Sequence, residues 1–210
     1  LSKVQKTKKF YIKDLTGKKY VMERYSKNKL LKEACLFNDW YLPRKLGKKK
    51  LIKLKKRFKT IFLRLSKEIK LPNDVFVHRD FHVSNIMLKR KKYHLIDSQD
   101  AVIGNPAYDL ASLIDDVRFK TSNDFKKDMF NYFLKKHLSS DLEKFKNDFL
   151  ILSVLRNFKI LGIFSRLAKR DKKNRYLRYI PYTWSLIKLR IKEEKVFDEL
   201  RLILNNKKII

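Results

Sequence analysis

The chain has 210 residues, room for one ordinary domain or a large lobe of a bigger one, and 44% hydrophobic with 13% aromatic residues supply a packed core and exclude disorder. Fifty-three Lys and Arg against 22 Asp and Glu leave a formal charge of +31, yet the lysines are spread over nearly every segment, which disfavours a nucleic-acid groove, where basic side chains cluster. A single cysteine, Cys35, excludes an internal disulfide framework and fits a reducing compartment, and the longest apolar runs, such as residues 149–155, fall far short of a membrane span.

Residues 1–25 are ambiguous. Residues 10–12 and 19–22 alternate weakly around Thr16-Gly17, and a lysine-rich loop fits equally well. From Ser26 the spacing turns helical: Leu30, Ala34, Phe37 and Tyr41 recur, with Trp40 alongside, until Pro43 ends the pattern. Leu51, Leu54, Phe58, Ile61, Phe62, Leu65 and Ile69 make a second stripe, stopped at Leu71-Pro72. Both stripes read as core-facing helix surfaces rather than ligand sites. Then the period shortens. Residues 75–77, 86–88 and 93–96 are β-prone, and the basic stretch 89–92 joins the last two as a hairpin. Asn105-Pro106 opens a helix as cap and first-turn proline, with Tyr108, Ala111, Ile114 and Asp115 at helical spacings. Ser122 caps the next helix, which carries Phe125, Met129, Phe133 and Leu134. A long helical region over 141–167 and one or two helices after Pro181 complete the chain. Repeats and Pro/Ser-rich linkers are absent, so the pattern predicts one mainly α lobe with a small β-hairpin insertion.

The chemistry lies in residues 75–116. His78-Arg79-Asp80 follows a short apolar strand, Asn85 comes five residues after Asp80, and Asp97 twelve after Asn85. Loops and strand ends are where reactive groups are mounted on a rigid base. A hairpin folding back on its own turn brings Asn85, at its start, beside Asp97, at its end, with Asp80 on the loop before them. One carboxylate is then free to receive a hydroxyl proton, while an amide oxygen and a second carboxylate converge on a hard cation. Phosphoryl transfer requires that apparatus, because Mg²⁺ takes oxygen ligands from one or two carboxylates plus the substrate phosphates. His82 and His94 lack a second imidazole at zinc spacing and read as loop or strand-surface residues. Cys35, on a helix without a basic cluster, reads as an ordinary buried thiol.

At this point the sequence resembles a family. VHRDFHVSNIML, followed by HLIDSQDAVIGNPAYDLASLIDD, is similar to the aminoglycoside phosphotransferase family of small-molecule kinases. The similarity extends to its branch of bacterial sugar kinases acting on N-acetylmuramate and N-acetylglucosamine at the anomeric hydroxyl in cell-wall recycling. LLKEACLFNDWYL resembles the helix before that branch's catalytic loop, and LRNFKILGIFSRLAKRDKKNRYLRYIP its C-terminal helical segment. The ordered motifs cover about residues 26–190. The resemblance implies a protein-kinase-like α+β fold, with Asp80 as catalytic base and Asn85 and Asp97 as Mg²⁺ ligands that also engage the nucleotide. It also implies that Asp109 bonds the catalytic-loop backbone from its helix, and that His78 braces that loop. By the same resemblance Asp100 holds the metal loop or helps at the site, and Arg156 and Asn157 face the sugar. ATP and a sugar are the implied partners, and the cytoplasm the implied compartment.

Two departures stand out. Ser98 occupies a position where family members often carry an aromatic residue. The second departure is larger: Gly17, Gly47, Gly104 and Gly162 form no phosphate-cradling loop, no lysine sits on a strand of an upper lobe, and the chain opens on Leu1 rather than Met. The expectation is therefore a C-terminal lobe over residues 26–210, preceded by an inter-lobe remnant over 1–25, with the N-terminal lobe missing. A catalytically impaired lobe that only binds, or a basic nucleic-acid-binding helical module, are the alternatives.

Overall fold

The computed structural model describes residues 1–7, 10–137, 141–192, 194–205 and 209. Its elements in chain order are α1 (Ser2–Gln5), β1 (Tyr11–Lys13), β2 (Lys19–Val21), α2 (Lys27–Ala34), α3 (Lys48–Lys67), β3 (Val75–Val77), β4 (Ile86–Lys89), β5 (Lys92–Leu95) and β6 (Val102–Gly104). The helices α4 (Ala107–Ile114), α5 (Asn123–His137), α6 (Leu142–Arg170), α7 (Ile180–Arg190) and α8 (Asp198–Leu204) follow. Helices dominate, and the strands form three antiparallel pairs, β1–β2, β3–β6 and β4–β5. No helix among the described residues is long and apolar enough to cross a membrane. Two compact units divide the chain: Leu1–Ser26 with Lys70–Phe149, and Lys27–Ile69 with Leu150–Ile210.

In the first unit, β3 and β6 pair with Val75 opposite Gly104 and Val77 opposite Val102. The segment just before α2 lies along β6: Tyr25 N donates to Ile103 O and Ile103 N to Glu23 O, each at 2.8 Å. The β4–β5 hairpin sets Lys89 opposite Lys92, leaving Arg90 and Lys91 as a two-residue turn with φ of 49° and 60°. Two positive φ values in a row make the turn whose twist matches the flanking strands. Both helix caps read from the sequence form, since Asn105 Oδ1 accepts from Ala107 N at 2.9 Å and Ser122 Oγ from Phe125 N at 3.1 Å.

The second unit is built around aromatic rings. Phe37 meets Phe58 and Phe158 edge-on at centroid distances of 4.9 and 4.8 Å, and Tyr41 stacks on it at 5.1 Å. Trp184 Nε1 donates to Tyr41 Oη at 2.8 Å, so the one polar atom of each ring is satisfied inside the cluster. The spacing predicted a continuous helix up to Tyr41, but α2 ends at Ala34 and the chain widens into a π turn over Phe37–Tyr41. Leu42 N bonds Phe37 O, five residues back rather than four, and Pro43, which has no N–H, cannot carry the ladder on to the residue 39 carbonyl. Cys35, in this stretch, is half-buried, and burial followed by the nearby Asp39 charge pushes its thiol pKa up.

The π turn packs directly on α6 because residue 162 is glycine. A Cβ there would stand 2.5 Å from Leu36 O and 2.6 Å from Phe37 N, both backbone atoms that cannot swing aside. Gly162→Ala should therefore destabilise the chain by about 2–3 kcal/mol through overpacking alone, read as a lower urea midpoint; an unchanged midpoint would refute the close packing.

Candidate active site

The loop after β3 is held by one carboxylate. Asp109, in the first turn of α4 and fully enclosed, accepts from His78 N at 2.7 Å with Oδ2 and from Arg79 N at 3.0 Å with Oδ1. Arg79 has φ of 71°, a left-handed conformation disfavoured for a long side chain. Satisfying both neighbouring N–H groups offsets that strain, since buried backbone donors left unpaired are costly. The helix N-terminus favours the same negative charge. Asp109 is in turn positioned by the cap of its helix. Asn105, which caps α4, donates through Nδ2 to Asp148 Oδ2 at 2.7 Å, and Asp148 also accepts from Lys70 N and Leu71 N at 2.9 and 2.8 Å.

On either side of the left-handed residue, further hydrogen bonds tie the loop down. His78 Nε2 lies 2.9 Å from Ile96 O; a carbonyl only accepts, so Nε2 carries the hydrogen and the ring joins the loop to the end of the hairpin. Arg79 Nη1 donates to Asp100 O at 3.1 Å, with the Asp100 carboxylate 4.0 Å from the same nitrogen. Asp116 Oδ2 accepts from Val83 N at 3.2 Å. Asp80 uses its carbonyl, not its side chain, inside the loop: His82 N and Asn85 Nδ2 both donate to it, each at 3.0 Å. Among the described residues the half-buried Asp80 carboxylate has no hydrogen-bond or ion-pair partner.

The hairpin register places Asn85 and Asp97 at the same end of the β4–β5 pair. Ile96 N donates to Asn85 O at 3.1 Å, one step beyond the Ile86–Leu95 pair, so Asp97 leaves the ladder next to Asn85. Because Asn85 Nδ2 is committed to the Asp80 carbonyl, its amide oxygen is the end left unbonded. Asp97, exposed and at φ of 68°, accepts from Gln99 Nε2 at 2.6 Å with Oδ1, leaving Oδ2. An amide oxygen and a carboxylate oxygen, with neither thiolate nor imidazole, form a donor set suited to Mg²⁺. Among the described residues no cluster of three or more His, Cys, Asp or Glu could hold a metal, and a Mg²⁺ completed by substrate phosphates needs no such cluster.

Of the residues singled out from the sequence, His78, Asp80, Asn85, Asp97, Asp100 and Asp109 all belong to the first unit; hydrogen bonds tie all but Asp97 to this loop, and Asp97 bonds Gln99 at the end of the hairpin. Arg156 and Asn157 lie on α6 within the second unit, both buried, with Asn157 Nδ2 3.4 Å from Ser153 Oγ. Sequence reasoning gave no role to Asp116 or Asp148. A signal for Asp148 was present: a lone acid among Phe145, Phe149 and Leu152 on a buried helix face needs an internal partner.

Asp109→Asn turns one acceptor into a donor and leaves a loop N–H unpaired, so stability should fall by about 1–3 kcal/mol. Asp100→Asn touches only a half-exposed pair and should stay within about 0.5 kcal/mol of the parent. Urea unfolding of both variants checks the contrast, and equal losses would refute it.

Comparison with known proteins follows the same residues. The model of a family described as phosphotransferase enzymes matches residues 18–145, which contain the whole loop and hairpin assembly but not Arg156. N-acetylmuramate/N-acetylglucosamine kinase of Neisseria meningitidis is 32% identical over 167 residues, covering 77% of this chain and 50% of that protein. Its namesake in Pseudomonas aeruginosa is 33% identical over 167 residues, 77% of this chain and 49% of that protein. In Caulobacter vibrioides the kinase of that name is 35% identical over 115 residues, 52% of this chain and 32% of that protein. The chain spans about half the length of the first two of these relatives. With more than half of its residues matched and the matched stretch carrying the braced loop, the chain belongs to the phosphotransferase enzyme family.

Proposed function

We propose that this chain is the acceptor-activating and metal-holding part of a kinase that moves the γ-phosphate of ATP to a hydroxyl of an amino sugar of the N-acetylmuramate/N-acetylglucosamine type. The observation that carries the reading is the Asp80 carboxylate: partly buried, without a partner among the described residues, and fixed on a loop held by hydrogen bonds with Asp109, Asn85 and Asp116. A carboxylate held that way is available to a hydroxyl. Asp80 accepts the hydrogen bond of the acceptor hydroxyl, orients its oxygen towards the phosphorus, and takes the proton as the new bond forms. Mg²⁺, held by Asn85 and Asp97, would neutralise charge on the phosphoryl oxygens. His78 and Asp109 keep Asp80 in register, Asp100 holds the Arg79 side chain, and Arg156 and Asn157 contact the acceptor.

The names of the relatives support the amino-sugar class. The absence of a glycine-rich phosphate cradle, together with coverage of only half of those relatives, supports a nucleotide-covering N-terminal lobe outside these 210 residues. On this reading residues 26–210 are the C-terminal lobe, 1–25 belong to the inter-lobe segment, and the protein works in the cytoplasm, where ATP is available.

Asp80→Asn preserves shape and removes the base. In the longer protein containing this chain, assayed with ATP and Mg²⁺ against both amino sugars, it should lower kcat by about 10²–10⁴-fold with little change in acceptor KM. Undiminished turnover would end the proposal.

A further inference from the structure

A cleft of about 650 Å³ opens between α2 and α3, and the residues that line it all belong to the second unit. Its walls follow from helix periodicity. Leu31, Lys32 and Cys35 line it from α2 and the turn that follows, and Lys55, Lys56 and Lys59 from α3, each set recurring at steps of three or four. Asn38 also lines the cleft although it is only 4% exposed. Its Nδ2 donates to Lys55 O at 3.1 Å; a carbonyl only accepts, so the amide is fixed with its oxygen at the other end, and that oxygen has no partner among the described residues. Four ammoniums meet a single carboxylate here. Lys55 pairs with Asp39 at 3.4 Å, whereas Lys32, Lys56 and Lys59 have neither hydrogen bond nor ion pair among the described residues. The Lys59 charge reaches the cleft wall: burial and then Asp39 push the Cys35 thiol pKa up, and Lys59 pulls it down. In a chain of formal charge +31, lysines alone mark nothing. Their gathering around one cleft with a buried, unpaired amide does.

We propose that this cleft binds the phosphate ester of a small hydroxylated molecule, a sugar phosphate in class, with the phosphate on Lys32, Lys56 and Lys59 and a hydroxyl on the Asn38 amide oxygen. Three like charges around one cleft repel, and an amide oxygen without a donor is costly; a single ligand carrying both groups relieves both. Phosphate fits better than carboxylate. An ammonium is a compact point charge, and the oxygens of a phosphate can each take one, whereas the two oxygens of a carboxylate match the fork of an arginine. No arginine lines the cleft among the described residues. The volume suits a ligand of this size, since small-molecule sites span about 300–1,000 Å³. The assignment uses no residue of the catalytic loop or hairpin, so its failure would leave the kinase reading untouched.

Cys35 reports on the cleft, because it lines it and is the only thiol of the chain. The test is the rate at which iodoacetamide alkylates Cys35 in the 210-residue chain, with glucose 6-phosphate, glucose or inorganic phosphate at matched ionic strength. At about 10 mM, well above a Kd of about 1 mM, glucose 6-phosphate should slow alkylation about fivefold or more. Inorganic phosphate should protect less, and glucose hardly at all. Lys32→Gln and Lys59→Gln, both at exposed positions, should each remove most of that protection. Protection is the ratio of rates with and without ligand, which cancels the effect of Lys59 on the thiol itself. Lys53→Gln takes the same charge from α3 outside the cleft and should keep the protection. Calorimetric titration with the same ligands and variants gives the second measurement, should the half-buried thiol react too slowly. An equal loss in Lys53→Gln would reveal a general response to charge and overturn the site. Inorganic phosphate acting as strongly as the ester overturns the sugar-phosphate assignment, and glucose acting as strongly overturns the role of the lysines. No response to any of the three overturns the cleft as a ligand site.

Discussion

The loop that presents Asp80 depends on a carboxylate bonded to two adjacent backbone N–H groups. Asp109 reaches from α4 to His78 N and Arg79 N, and those bonds make a left-handed arginine tolerable at φ of 71°. Without that turn, Asp80 would point elsewhere. The loop could not then also present its Asp80 carbonyl to Asn85 Nδ2, the bond that leaves the Asn85 amide oxygen unbonded. One buried charge thus sets both the proposed base, Asp80, and one proposed metal ligand, Asn85.

Support for Asp109 runs further back through the first unit. Asp148 accepts from Lys70 N, Leu71 N and Asn105 Nδ2, and Asn105 caps the helix on which Asp109 sits. Asp116 holds Val83 N on the far side of the loop. These acids are scarce in a chain of formal charge +31, and several are spent inside, on backbone amides, rather than on the many surface lysines. That use is physically sound, because exposed ion pairs contribute little whereas a buried N–H left unbonded is expensive. The high net charge therefore says little about partners, and the sparse acids say a good deal about the site.

Much of this was legible in the residues, and the limits have physical causes. The Asp80, Asn85 and Asp97 spacing follows from hairpin geometry, which is local, and the Asn105 and Ser122 caps are local too. Asp116 and Asp148 act on backbone groups 33 and 78 residues away, and no local pattern marks such partners. The Arg90-Lys91 turn forms without the glycine or asparagine that usually announces positive φ, because the register of β4 and β5 imposes it. The break of the second helix into a π turn depends on Pro43 and on the close approach permitted by Gly162, a contact across more than a hundred residues. Arg156 could be picked out by resemblance, but that it lies buried on α6 becomes visible only once its neighbours are known.

Backbone amide hydrogen exchange at His78 and Arg79 tests the central claim most directly, since it reads the Asp109 bonds without perturbing them. Both amides should be protected to a degree approaching that of the buried β3 residue Val77, and far beyond the exposed turn at Arg90 and Lys91. Exchange at His78 and Arg79 as fast as at that turn would mean that the carboxylate does not hold the loop, and the account of the site would fail with it.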